Sequence, residues 1–188
     1  MKRIGILGGI GSGKSYVAQI FGCPVFNADK EVSHIYKKDK KTFYKLKKSL
    51  PKYFNKFPIN KDDVTRAILD NEQNLKKIIK IIHLEIRKRM NKFLKKNKIK
   101  KFVVLDIPLL LENKINRKSD ILVFVDSKKN DVLKRLKKRR NFNFKILKKF
   151  QNIQLSLDYK KKKSRFIIKN DFTKKTVTKY VKHILTQI

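Results

Sequence analysis

The chain has 188 residues, enough for one domain with an insertion and a sizeable core. Its 51 lysines and arginines against 15 acids give a formal net charge of +36. No apolar run approaches the ~18 residues of a membrane span. The single cysteine, Cys23, excludes an internal disulfide or a cysteine metal cluster, and three scattered histidines, His34, His83 and His183, lack metal-ligand spacing. Met1-Lys2-Arg3 resembles the start of a signal peptide, but glycines follow it with no cleavage site, so a cytoplasmic enzyme is the expectation.

Ile4, Ile6 and Leu7 read as a short buried strand, and Tyr16, Val17, Ile20 and Phe21 carry helical spacing. Between them, Gly8-x-x-x-x-Gly13-Lys14-Ser15 fits the phosphate-loop pattern G-x-x-x-x-G-K-[ST] at every fixed position. Glycines let backbone N–H groups turn onto phosphate oxygens, and a following helix N-terminus adds partial positive charge. Lys14 is placed to reach the β- and γ-phosphates and Ser15 to hold Mg²⁺. All six glycines lie at or before Gly22, which excludes a GTPase Asp-x-x-Gly and a transporter-ATPase signature downstream. Asn60-Lys61-Asp62-Asp63 imitates a guanine-reading motif, but it follows Pro58 and opens a helical pattern, so it reads as coincidence.

Cys23 to Phe26 reads as a second strand ending at Asn27-Ala28-Asp29, where polar residues face the ligand crevice of an open α/β sheet. Residues 38–98 give only helical signals: a stripe of Tyr44, Leu46, Leu50 and Phe54, a helix capped by Asn60 or Asp62, and a face from Leu75 to Met90. Phe102 to Asp106 is a continuous apolar run ending in an acid, the pattern of a buried parallel strand with a metal-side aspartate. No acid follows Asp106 directly, which favours transfer to a bound acceptor over hydrolysis. Asp120 to Asp126 and Arg165 to Asn170 complete five strands, with a basic stretch between them and a closing helix capped by Thr173 or Asp171. The expected fold is α/β, a three-layer P-loop kinase fold on a parallel five-stranded sheet. Its core covers about 1–37, 99–135 and 164–188, its helical acceptor-binding insertion 38–98, and its small basic lid 136–163.

Two accounts of the charge stay open: nucleic-acid binding, or lysine filling exposed positions everywhere. The lysines run from Lys37 to Lys182 without gathering in one arm, and the aromatics follow core spacing, which favours the second.

Several stretches together resemble the dephospho-coenzyme A kinase family. These are the loop itself, Asn27-Ala28-Asp29-Lys30, the helical Ile81-Ile82-His83-Leu84-Glu85-Ile86-Arg87, and Leu105-Asp106-Ile107-Pro108-Leu109-Leu110-Leu111-Glu112. Gln154 to Leu157 and Phe166 to Asn170 resemble later segments of the same family. Asn27 stands where the family has aspartate, Leu84 and Ser156 where it has proline, and Lys169 where aspartate is usual.

The resemblance implies transfer of the ATP γ-phosphoryl to the ribose 3′-hydroxyl of dephospho-coenzyme A. It implies Mg²⁺ at Ser15 and ATP on Gly8, Gly9, Ile10, Gly11, Ser12, Gly13, Lys14, Ser15, Tyr16, Arg139 and Asn170. Lys14, Asp29 and Arg139 are the expected catalytic residues, with Arg135 the alternative lid cation. Acceptor contacts are expected from Asp29, from His83 and Arg87 on one helical face, and from Asp106, Pro108 and Leu110 on a rigid rim. Asp106 could serve the metal through water or the acceptor. The expected partners are small molecules, with a monomeric chain and no specific nucleic acid. A kinase for another nucleotide or nucleoside, or a basic nucleic-acid-binding protein, are the alternatives.

Overall fold

The computed structural model describes residues 1–138 and 142–188. Its five strands are β1 Lys2–Gly8, β2 Val25–Asn27, β3 Phe102–Asp106, β4 Ile121–Asp126 and β5 Phe166–Lys169. They form one sheet in the order β2-β3-β1-β4-β5, every pair parallel. The helices are α1 Lys14–Ile20, α2 Ala28–Lys38, α3 Lys40–Ser49, α4 Lys61–Asp70, α5 Glu72–Lys96, α6 Lys129–Lys137, α7 Phe144–Asn152, α8 Leu157–Lys163 and α9 Lys174–Thr186.

Alternation along the strands divides the apolar side chains between two helical layers. Ile4 and Ile6 of β1 join Val104, Val123 and Val125 in a core shared with Val17 of α1 and with Val177, Val181 and Ile184 of α9. Leu7, Val103, Leu105 and Phe124 face the other way, onto Ile35 of α2, Phe43 and Leu46 of α3, and the Leu75–Ile78–Ile82–Ile86 face of α5. The apolar run of β3 is buried on both faces, as a central parallel strand requires.

The helical region from 38 to 98 therefore forms most of one layer. Tyr44 is 63% exposed, and Phe43 takes the core position in its place, because residues 43, 46 and 50 share one helical face while residues 44 and 46, two apart, do not. Asn60 supplies the α4 cap and Thr173 the α9 cap. Arg89 of α5 fastens this layer to α2 and α3, meeting Glu31 at 3.2 Å, Asp39 at 3.3 Å and Glu85 at 3.3 Å.

Leu110, expected on the acceptor rim, is fully buried in this same core. A β-carbon on Gly5 would lie 2.7 Å from Leu110 Cδ2, so the glycine in the middle of β1 makes the space that Leu110 fills. Leu110→Ala should cost about 2–5 kcal/mol of stability through the cavity it leaves. Urea unfolding is expected to show that loss, while the acceptor KM stays near the parent value. A changed KM with unaltered stability would return Leu110 to the rim.

Candidate active site

The loop from Gly8 to Gly13 joins the central strand to α1. Gly11 (φ +83°) and Gly13 (φ +90°) take left-handed backbone conformations, and a β-carbon at Gly13 would stand 2.5 Å from Asn170 Nδ2. At Gly11 it would meet Leu136 and Val132 of α6 at 2.9–3.0 Å. Ser12 is buried; its carbonyl accepts from Asn170 Nδ2 at 2.8 Å and from Ser127 Oγ at 2.9 Å. Lys14 Nζ lies across the loop, donating to the Gly9 carbonyl at 2.7 Å and the Gly8 carbonyl at 3.2 Å. Ile10 is half-buried, and Tyr16 is exposed on the first turn of α1.

Beside the loop, the carboxyl ends of β2 and β3 bring Asn27 and Asp106 into register. Asn27 does three things at once. Its Oδ1 accepts from Lys30 N at 2.8 Å and caps α2, while its Nδ2 donates to Asp106 Oδ2 at 2.5 Å and reaches Ser15 Oγ at 3.5 Å. Asp106 is only 3% exposed, so the amide satisfies one lone pair of a buried carboxylate. Asp29 is exposed in the first turn of α2, where an acid also suits the helix dipole. The cap itself belongs to Asn27.

Asn170, expected to touch ATP, is 4% exposed and serves as a strut to the loop. Its Oδ1 accepts from Phe172 N at 2.9 Å, and Phe172 is held at φ +66°, an uncommon conformation for a bulky residue. The Phe172 ring lies against Gly13, and the Arg135 guanidinium stacks over it at 4.4 Å. Arg135 thus sits on an aromatic platform beside the phosphate loop. Arg139 lies outside the described residues.

On the other side, α5 and the turn after β3 enclose a groove of about 490 Å³. Lys76, Lys80, His83 and Arg87 line it from α5, and Leu109, Glu112 and Asn113 from the turn, with Ile79, Leu84 and Ile153 as apolar wall. The predicted pair His83 and Arg87 is therefore together in one groove. Arg87 Nη2 donates to the Asn113 carbonyl at 2.5 Å. Burial pushes the His83 imidazole below its ordinary value, hydrogen bonding with Asn113 opposes this, and the Arg87 charge adds to the lowering. Pro108 is half-buried in the turn.

One feature of the site was hidden in the sequence. Lys160, inside a run of four lysines, is 1% exposed and pairs with Glu112 at 2.7 Å. Glu112 also accepts from Leu155 N at 3.0 Å. These bonds hold the segment entering α8, whose Leu157 lies against Gly9.

A phosphate loop on the central strand of a parallel sheet, with an acid ending the adjacent strand and a groove alongside, defines a P-loop kinase. The dephospho-CoA kinase family model matches residues 2–176. The chain belongs to the dephospho-CoA kinase family. A dephospho-CoA kinase of Wolbachia pipientis wMel is 34% identical over 190 aligned residues, covering 98% of this chain and 97% of that one. Among solved structures, a Thermus thermophilus protein superposes with a TM-score of 0.80 at 22% identity, covering 100% of this chain and 97% of the other. A dephospho-CoA kinase from Campylobacter jejuni gives 0.64 at 20% identity, over 99% and 96%. These two likenesses establish the shared fold.

The lowered His83 value gives a pH prediction. The folded chain binds fewer protons at His83 than the unfolded chain, so this contribution to stability is complete above about 6.5 and declines as pH falls toward the depressed value. NMR titration of the ring should give a midpoint below that ordinary value. A midpoint above it would mean the imidazole is held as a cation.

Proposed function

We propose that this chain transfers the γ-phosphoryl group of ATP to the ribose 3′-hydroxyl of dephospho-CoA, giving CoA and ADP, with the residues above in the following roles. The observation that carries this assignment is that β3 ends in Asp106, bonded to the Asn27 amide that also reaches Ser15, and leads into the turn whose Leu109, Glu112 and Asn113 line the His83–Arg87 groove. The loop N–H groups and Lys14 bind the ATP phosphates. Lys14 can exchange its carbonyl partners for phosphate oxygens without leaving the loop. Arg135 and Phe172 flank the nucleotide, and Arg139 is the second candidate cation for the transferring group.

The donor set beside the loop fits Mg²⁺. Ser15 and Asp106 offer hard oxygens linked by the Asn27 amide, and no cluster of three His, Cys, Asp or Glu among the described residues forms an all-protein cage. Ser15 would hold the ion directly, with Asp106 acting through water. When bound, Mg²⁺ neutralises charge on the β- and γ-phosphates.

Asp29 orients the acceptor hydroxyl and takes its proton, a role open to it and closed to the Asn27 amide. In the groove, Arg87, Lys76 and Lys80 meet acceptor phosphate while the apolar wall takes the pantetheine arm. The net charge of +36 on the chain favours the approach of anionic substrates. We read the excess charge as surface composition, with small-molecule partners only and a cytoplasmic monomer as the working state. Among the described residues, no helix is long and apolar enough to cross a membrane.

The assignment is tested by measuring ADP release with dephospho-CoA, AMP, CMP, dTMP, adenosine and shikimate as acceptors. Dephospho-CoA alone should react efficiently, with the new phosphate on the 3′-oxygen by phosphorus NMR. Efficient AMP or CMP phosphorylation with dephospho-CoA inert would overturn it. Lys14→Met should lower kcat by a hundredfold or more, about 3–4 kcal/mol of transition-state stabilisation. Retention of more than about a tenth of kcat, ~1.4 kcal/mol, would remove Lys14 from the reaction.

A further inference from the structure

Leu84 takes no part in the core. The buried stripe of α5 runs through Leu75, Ile78, Ile82, Ile86 and Met90, and Leu84 lies off it, 55% exposed. Of itself an exposed leucine asks for no explanation. This one lines the groove of about 490 Å³ beside α5, which is in the size range of small-ligand sites. Its surroundings there divide by chemistry. Ile79 and Ile153, both half-buried, continue the apolar surface with Leu109. Lys80 lies one helical turn before Leu84 and Arg87 one turn after it, and both line the same groove. An open apolar strip between cations suits a ligand whose anionic group is joined to an uncharged, largely apolar arm.

We infer that Leu84 is a specificity-determining residue for the phosphoryl acceptor, its side chain packing against the uncharged arm that leads away from the acceptor's phosphates. The inference rests on the reaction proposed above and names the part of the acceptor that this residue selects. In dephospho-CoA that arm is the pantetheine chain, attached to the diphosphate that Lys80 and Arg87 attract. Binding the arm covers leucine surface that water now reaches, so the contact is favourable through apolar burial. An acceptor that ends at its phosphates, as AMP does, leaves Leu84 in water and lacks that contribution.

Leu84→Ala tests this without disturbing the fold, because the side chain is exposed and alanine favours a helix. The dephospho-CoA KM should rise about 5- to 20-fold, the apolar burial of roughly half a leucine side chain. The ATP KM and kcat should stay within about twofold, since the contact is the same in the ground and transition states. Leu84→Met keeps the apolar surface and should remain near the parent enzyme. As a competitor of dephospho-CoA, 4′-phosphopantetheine should lose inhibition of Leu84→Ala by a similar factor, whereas AMP should inhibit parent and variant equally. Four results would each overturn the inference: an unchanged dephospho-CoA KM, an equal rise in the ATP KM, 4′-phosphopantetheine and AMP inhibition changing alike, or Leu84→Met as impaired as Leu84→Ala. A parent enzyme inert toward dephospho-CoA would instead mean that the function itself was misassigned.

Discussion

Backbone closure around the phosphate loop governs how the rest of the molecule is arranged, and it depends on missing side chains. Where β-carbons would stand at Gly11 and Gly13, the structure places Val132 and Leu136 of α6 and the amide of Asn170. Leu157 of α8 comes up against Gly9. Three connections from distant parts of the sequence thus converge on one short turn. With the Ser12 carbonyl bonded to both Ser127 and Asn170, the loop is fixed before any phosphate binds. Preorganisation of this kind lets donors act on developing charge without moving at the moment of reaction.

The same economy of contacts runs through the groove beside α5. Glu112 carries the groove wall, the entrance to α8 and, through Leu157, an edge of the loop. Arg89, about a quarter exposed, joins carboxylates from α2, the α3 cap and its own helix, so the long α5 cannot shift without disturbing the start of α2. That start is Asn27, which touches both Ser15 and Asp106. Changes in the position of α5 therefore have a continuous chain of contacts to the carboxyl end of the sheet.

Much of this was legible in the residues. Apolar runs ending in Gly8 and Asp106 read directly as parallel strands, because burial on both faces leaves no alternation to confuse, and the glycine spacing of the loop admits few other uses. His83 and Arg87 could be placed together because helical spacing fixes their common face. Other features depend on tertiary contacts that spacing does not encode. Lys160 looks identical to its neighbours Lys161, Lys162 and Lys163, and only the packing of α8 on β1 and β4 selects it for burial. Leu110 in a rim-like motif is drawn inward by the space over Gly5, and Asn170, polar at a strand end, props the loop from within. Tyr44 failed for a local reason: it stands two residues from Leu46 and so cannot share its helical face, which Phe43 does.

The distribution of acids gives Asn27 its meaning. In so basic a chain, acids find cations readily: Asp120 binds Arg3, Glu112 binds Lys160, Asp126 binds Lys161, and Arg89 gathers three more. Asp106, though buried, takes its short hydrogen bond from a neutral amide instead. A lysine or arginine in that place would offset the carboxylate charge with a direct ion pair. A second aspartate would set two anions side by side, and one would have to stay protonated or be held apart by a cation. An amide avoids both costs, fixing the orientation of Asp106 while leaving its charge in place. Asparagine at residue 27 thus leaves one carboxylate fewer at the site and holds Asp106 in a fixed orientation, which is compatible with phosphoryl transfer so long as Asp29 serves the acceptor hydroxyl.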